Sequence, residues 1–122
     1  MSSQPPHPVL ARPRFLDDEA FCCLRSGELA RFHQIAATRP SLDFSGADLR
    51  GADLRQADLS KVVLRNCYLR DTDLRGQDLS HMDLSGCSLF HAKVSGTLFP
   101  ADIPAEEIRL SLDFGTRLRK RL

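Results

Sequence analysis

The sequence has no tryptophan, a single tyrosine and no surplus of either charge, with 17 lysines and arginines against 16 aspartates and glutamates. With a net charge of only +1 there is no long-range field to gather DNA or an anionic membrane, so electrostatic contacts must be local. No run of about eighteen apolar residues occurs, which excludes an ordinary membrane-spanning helix. Prolines interrupt MSSQPPHPVLARPRF where a secretory signal needs an unbroken apolar stretch. A cytoplasmic protein with no membrane partner is expected. The cysteines, Cys22, Cys23, Cys67 and Cys87, show neither a CxxC pair nor a Cys/His zinc spacing and are expected to be packing thiols. Also missing are a glycine-rich phosphate loop, a metal motif and a recognisable nucleophile–base grouping, so neither catalysis nor a cofactor is expected.

What is present falls into four consecutive segments of one domain. Residues 1–14 hold four of the seven prolines and few large apolar side chains, the composition of a flexible tail. Residues 15–40 turn helical: Phe21, Leu24, Leu29, Phe32, Ile35 and Ala36 make an apolar stripe, Asp17 is the expected N-cap, Gly27 can split the segment and Pro40 stops it. Residues 41–100 divide into twelve units of five: SLDFS, GADLR, GADLR, QADLS, KVVLR, NCYLR, DTDLR, GQDLS, HMDLS, GCSLF, HAKVS and GTLFP. The fourth position is always apolar, the second mostly small or apolar, and the third usually aspartate. Residues 101–122 contain a helix start at Pro104-Ala-Glu-Glu and end in a basic run, Arg117-Leu-Arg-Lys-Arg121. The stretch between them fits a strand or a helix, and a helix from Pro104 to about Asp113, closed by Gly115, is the favoured reading.

A period of five suits neither regular structure. On an α-helix successive leucines would step about 140° around the axis and leave no buried stripe. On a flat strand an odd spacing throws alternate leucines onto opposite faces. A chain that turns a corner once per unit returns the second and fourth residues to one interior.

The A-D-L-R/S units resemble the pentapeptide-repeat family. The resemblance implies a mainly β fold: a right-handed quadrilateral β-helix with four units per turn, about three coils here, closed at its N- and C-terminal ends by α-helical caps. Residues twenty apart then stack. Phe44, Leu64 and Leu84 form one inward column; Cys67 lies under Cys87 as two stacked thiols; Gln77 needs a partner such as Thr97 or backbone. Caps are required because each end of so short a stack exposes apolar side chains and unpaired backbone.

The aspartates at 43, 48, 53, 58, 73, 78 and 83 look like a carboxylate bank, but recurrence at one outward position is what turn and ion-pair roles produce. Arg50, Arg55, Arg65, Arg70 and Arg75 follow the central leucine, and stacking places Arg70 over Arg50 and Arg75 over Arg55. These five are the candidate partner-binding residues, either as an arginine face for an acidic protein surface or as a solvated ion-pair lattice. Val63, Tyr68, Phe90 and Leu98 break the polar pattern, though the columns scatter them over different faces. The terminal basic run reads as a solvated tail, and His91 is expected above Asp71 as a possible ion pair.

The functional expectation is a non-enzymatic protein–protein interaction scaffold, acting through the arginine face or an apolar cap, with a homodimer through a terminal cap as a further possibility. The alternative is a nucleic-acid or topoisomerase-directed protein, since some members of the family imitate DNA. The balanced charge of the repeats and the shortness of the rod disfavour that role.

Overall fold

A computed structural model describes residues 17–121. The proline-rich segment at 1–14 lies outside the described residues. The chain opens with two short helices, α1 (Glu19–Ser26) and α2 (Leu29–Ala36). Asp18, one residue later than the sequence pattern suggests, caps α1: its carboxylate accepts from Ala20 N at 2.8 Å and Phe21 N at 3.3 Å. Gly27 ends the helix in the left-handed conformation, φ 83°, and turns the chain into α2. Both helices bury one face, through Ala20, Phe21, Cys23, Leu24, Phe32 and Ile35. Cys22 points the other way and is exposed, so it is not the packing residue expected.

The repeats then stack on themselves with a fixed offset. Two-residue strands β1 (Leu42–Asp43) and β2 (Val62–Val63) pair in parallel, Leu42 with Val62. The same twenty-residue step joins Asp48 to Tyr68 and Tyr68 to Ser88, and Asp53 to Asp73 and Asp73 to Lys93. Extended pairing lasts only two or three residues before each corner, so the repeats form short rungs rather than continuous sheets. This is a β-helix-like solenoid.

Its backbone bonding repeats over most of the stack; at Asp78 the N–H donates instead to the Gln77 side chain, at 3.2 Å. The N–H of a fourth-position residue donates to the coil above, as from Leu49 N to Tyr68 O at 3.0 Å. The N–H of a third-position residue donates to the coil below, as from Tyr68 N to Ala47 O at 3.0 Å. A further bond closes each corner, as from Ala47 N to Phe44 O at 3.0 Å. Between Phe44 and Ala47 the third turn residue, Gly46, has φ 72°, the conformation a type II turn requires. Asn66, Asp71 and His91 adopt the same positive φ without being glycine, whereas Lys61 and His81 turn the fourth corner without it. Side chains are therefore strained at some corners and unstrained at others.

Inside, the fourth-position leucines from Leu49 to Leu89 are buried. Removing one such side chain to alanine typically costs about 2–5 kcal/mol, so this column arrangement is the main source of stability. Polar second positions satisfy themselves on backbone carbonyls, Thr72 on Leu69 O of its own coil at 2.7 Å and the others on the coil beneath. Gln77 donates to Leu54 O at 2.8 Å and Ala57 O at 2.7 Å, and Thr97 donates to Leu74 O at 2.6 Å. The stacked thiols do the same, Cys67 to Phe44 O at 3.0 Å and Cys87 to Leu64 O at 2.8 Å. Both remain unbridged, and burial pushes the Cys87 thiol far above the ordinary cysteine range.

The last segment forms α3 (Ala105–Phe114), closed by Gly115 at φ 77°. Beyond it the chain runs back along the last coil, with Arg117 bridging Ser88 in antiparallel fashion and Leu118 buried. The basic run is thus built in rather than a solvated tail. Arg119 grips Glu107 through Nη2 at 2.7 Å, and Lys120 Nζ lies 3.3 Å from Asp83. The buried Leu118 supplies the anchor that the charge count conceals.

Candidate binding face

The aspartates that recur at the third position are bound by local geometry. Each of the seven accepts a hydrogen bond from the backbone N–H two residues later, as from Arg50 N to Asp48 at 3.0 Å and Ser80 N to Asp78 at 3.0 Å. That bond is the reason the residue type recurs: a short carboxylate reaches the N–H that leads into the corner. Among the described residues no cluster of histidine, cysteine, aspartate and glutamate is arranged to hold a metal ion.

The five arginines at the fifth position are all about half-exposed, but they are not equivalent. Arg50 clasps Asp48 with Nε at 2.9 Å from both oxygens and Nη2 at 2.8 Å. Asp48 is fully buried, and burial would raise its pKa, yet the Arg50 guanidinium and backbone N–H hold it below the usual carboxylate range. Arg55 binds Asp53 through two bonds and reaches Asp73 at 3.3 Å, while Arg75 holds Asp73 at 2.7 Å. This ladder joins two coils and, chiefly through Arg75, draws the Asp73 pKa down to about 2. Arg65 approaches Asp83 only to 3.7 Å, and Arg70 approaches Asp71 only to 3.6 Å. Instead, Arg70 lies 4.5 Å above the Phe90 ring.

The described repeats match the family model "Pentapeptide repeats (8 copies)" twice, over residues 43–76 and 67–99. Residues 43–99 are therefore repeats of the pentapeptide-repeat family. No curated protein and no solved structure matches the chain. Its repeats therefore supply a scaffold, and what distinguishes this pentapeptide-repeat protein must be sought in departures from the repeat.

Those departures converge more than the columns suggest. Tyr68 and Phe90 share one face, and α3 brings Phe114 beside them, so that Arg50, Tyr68, Arg70, Ser88, Phe90 and Phe114 line a groove of about 370 Å³. Val63 and Leu98 lie elsewhere. Arg117, from the terminal run, donates to Tyr68 Oη at 2.6 Å and Gly86 O at 2.8 Å and sits 5.0 Å above the tyrosine ring. Phe90 is stacked on its other neighbour, His91, at 3.8 Å and 21°. His91 Nδ1 lies 4.0 Å from Asp71, the vertical pair expected from the twenty-residue step. Sequence columns relate only repeat residues to one another, so they could not show that a helix end and a terminal arginine complete this face. The one available signal was that Tyr68 and Phe90 break the polar pattern in the neighbouring columns headed by Asp48 and Arg50.

Proposed function

We propose that this pentapeptide-repeat protein is a non-enzymatic interaction scaffold, a right-handed four-sided β-helix of three coils that presents half-exposed arginines to an acidic surface of another protein. The observation that carries the reading is the inequality of those arginines. Where an aspartate is available the guanidinium is neutralised by a two-pronged pair, but Arg65 and Arg70 are left with contacts beyond hydrogen-bond distance. A guanidinium with unspent donors matches a carboxylate fork better than a lysine ammonium would. The surrounding coil is rigid, so little ordering entropy opposes the contact.

Capture with the full chain as bait, followed by identification of the retained proteins, tests the reading. Arg50 must be left in place, because its removal would strand the buried Asp48. The combined variant Arg55→Gln, Arg65→Gln, Arg70→Gln and Arg75→Gln is expected to lose a protein that the wild type retains while remaining folded, with a lower thermal midpoint because Asp73 loses both of its arginines. An unchanged set of retained proteins would reject the arginine faces.

A further inference from the structure

The groove between the Arg50 column and the end of α3 combines three features found together nowhere else among the described residues. The first is a cation with spare donors. Arg70 forms no hydrogen bond among the described residues, and its nearest carboxylate is Asp71 at 3.6 Å. The second is a positive surplus. Arg117 is engaged by the Tyr68 hydroxyl and the Gly86 carbonyl, neither of which cancels its charge, while the buried Asp48 is committed to Arg50. The third is apolar surface at the rim: Phe114, the last residue of α3, is 73 % exposed, next to the half-buried Phe90. An isolated exposed phenylalanine needs no explanation, but one beside an unspent guanidinium in a concavity forms a two-part recognition surface.

We propose that this groove docks a short acidic segment of a partner protein, with a carboxylate on the Arg70 guanidinium and a neighbouring apolar side chain against Phe90 and Phe114. The proposal rests on the interaction-scaffold reading above and narrows it to one face and one ligand chemistry. A peptide fits the charge pattern better than a nucleic acid does. On the adjoining face Arg55 and Arg75 are already neutralised by Asp53 and Asp73, so a polyanion extending past the groove would meet carboxylates that it must displace. A segment with one or two acidic residues need not leave the groove. The contact of the Arg70 guanidinium carbon with the Phe90 ring, at 4.5 Å, does not use the guanidinium N–H donors, which suit a planar carboxylate fork. The groove volume of about 370 Å³ holds a side chain and part of the backbone of such a segment.

A random displayed peptide library selected on the full chain gives the test, with nitrogen-15 amide shifts locating the best peptide. The expected outcome is enrichment of sequences with Asp or Glu beside an aromatic or aliphatic residue, and shifts centred on residues 70, 90 and 114–115. Arg70→Gln should weaken the selected peptide by at least about tenfold, Phe114→Ala should weaken it by less, and Arg31→Gln on α2, whose partner is the exposed Glu19, should leave it unchanged. Replacing the acidic residues of the peptide by their amides should abolish saturable shifts. Absence of enrichment, peptides without acidic residues, insensitivity to Arg70→Gln, preferential binding of a DNA oligonucleotide, or a dimer that buries Phe114 would each overturn the proposal. The scaffold reading has a separate fate. A partner that is lost with the fourfold arginine variant but indifferent to Arg70→Gln and Phe114→Ala would leave it standing and reject the groove.

Discussion

The two ends of the solenoid are closed by different means. At the N-terminal end all eight inward residues of the first coil, from Leu42 to Leu59, are buried, and Phe44 meets Phe21 of α1 edge-on at 5.3 Å. Side chains serve the open backbone there. Arg25 donates to Asp48 O and Arg50 O at 3.0 and 3.1 Å, and His33 Nε2 accepts from Asp58 N at 3.0 Å, in place of the carbonyl that a coil beneath would offer. At the C-terminal end the chain closes its own edge with backbone, as Gly86 N donates to Leu118 O at 2.8 Å and Leu118 N to Cys87 O at 2.9 Å. That closure covers half the coil. Met82, Leu84, Cys87 and Leu89 are buried, whereas Ala92, Val94, Thr97 and Phe99 are only partly so, and Leu98 is 58 % exposed. The helix pair covers the whole N-terminal end, whereas α3, which packs Ile108 and Leu112 on the core, and the returning strand cover only one side of the other.

The sharpest way to break this comparison is to empty both ends of the same residue type. Phe44→Ala removes a fully buried ring and should cost roughly 3–5 kcal/mol, a large part of the stability of so small a domain. Phe99→Ala removes a ring that water already reaches, and should cost under about 2 kcal/mol. Urea unfolding of the two variants measures both. Equal losses would mean that the C-terminal end is covered as completely as the N-terminal one.

Arg50 and Arg70 occupy one column a coil apart, and they test whether ion pairs differ with their distance from the N-terminal cap. Arg50→Ala strands the buried Asp48 and should cost about 2–3 kcal/mol, below the range for a fully enclosed pair because half of the guanidinium meets water. Arg70→Ala should change stability by less than about 0.5 kcal/mol, because it leaves no buried charge. Thermal melts at neutral pH read the difference, and comparable losses would contradict the inequality on which the functional reading depends.

Much of this architecture was legible because the repeat is a local rule copied twelve times. The period of five, the stacking by twenty, the inward leucines and the thiol pair all follow from residues that see the same neighbours in every coil, and the split at Gly27 follows from the local need of a helix end for a left-handed residue. The returning strand did not, because its position depends on Leu118 and on Glu107 meeting Arg119, contacts with no counterpart in the repeat. For the same reason the groove was only half legible. Tyr68 and Phe90 could be flagged as departures, but Phe114 and Arg117 reach them through the turn at Gly115.

Acid should separate the ends next, by a smaller effect. Glu107 holds the C-terminal strand, and chiefly its hydrogen bonds with Arg119 lower its pKa below the ordinary 4.5. Asp18 caps α1 and binds Arg39; burial opposes ionisation, but the hydrogen bonds prevail and its pKa falls below 3.8. A carboxylate with a depressed folded-state pKa stabilises fully above its unfolded value and loses that contribution as pH falls through the folded one. The Glu107 contribution therefore begins to fade near pH 4.5 and that of Asp18 only near 3.8. Amide exchange followed downward from pH 5 should show Leu118 and Arg119 losing protection before Phe21 and Leu24, and Glu107→Gln should remove the early step. Simultaneous loss would show that the ends do not open separately.

The smallest effect asks whether the partly covered last coil still obeys the corner rule of the others. His91 turns its corner at φ 61°, where a side chain is strained, while His81 turns the fourth corner without a positive φ. Glycine at position 91 relieves left-handed strain of about 1 kcal/mol, offset by greater freedom of the unfolded chain and by loss of the stacking on Phe90. Glycine at position 81 has only the unfolded-state cost, about 0.5–1 kcal/mol. His91→Gly should therefore be more stable than His81→Gly by up to about 1 kcal/mol, the strain relief less the lost stacking, although both delete a histidine from the same coil. Denaturant midpoints resolve that gap if the slopes match. An equal loss in both would mean that corners in the last coil relax when nothing is stacked upon them, and that the partial cover at this end reaches into the backbone itself.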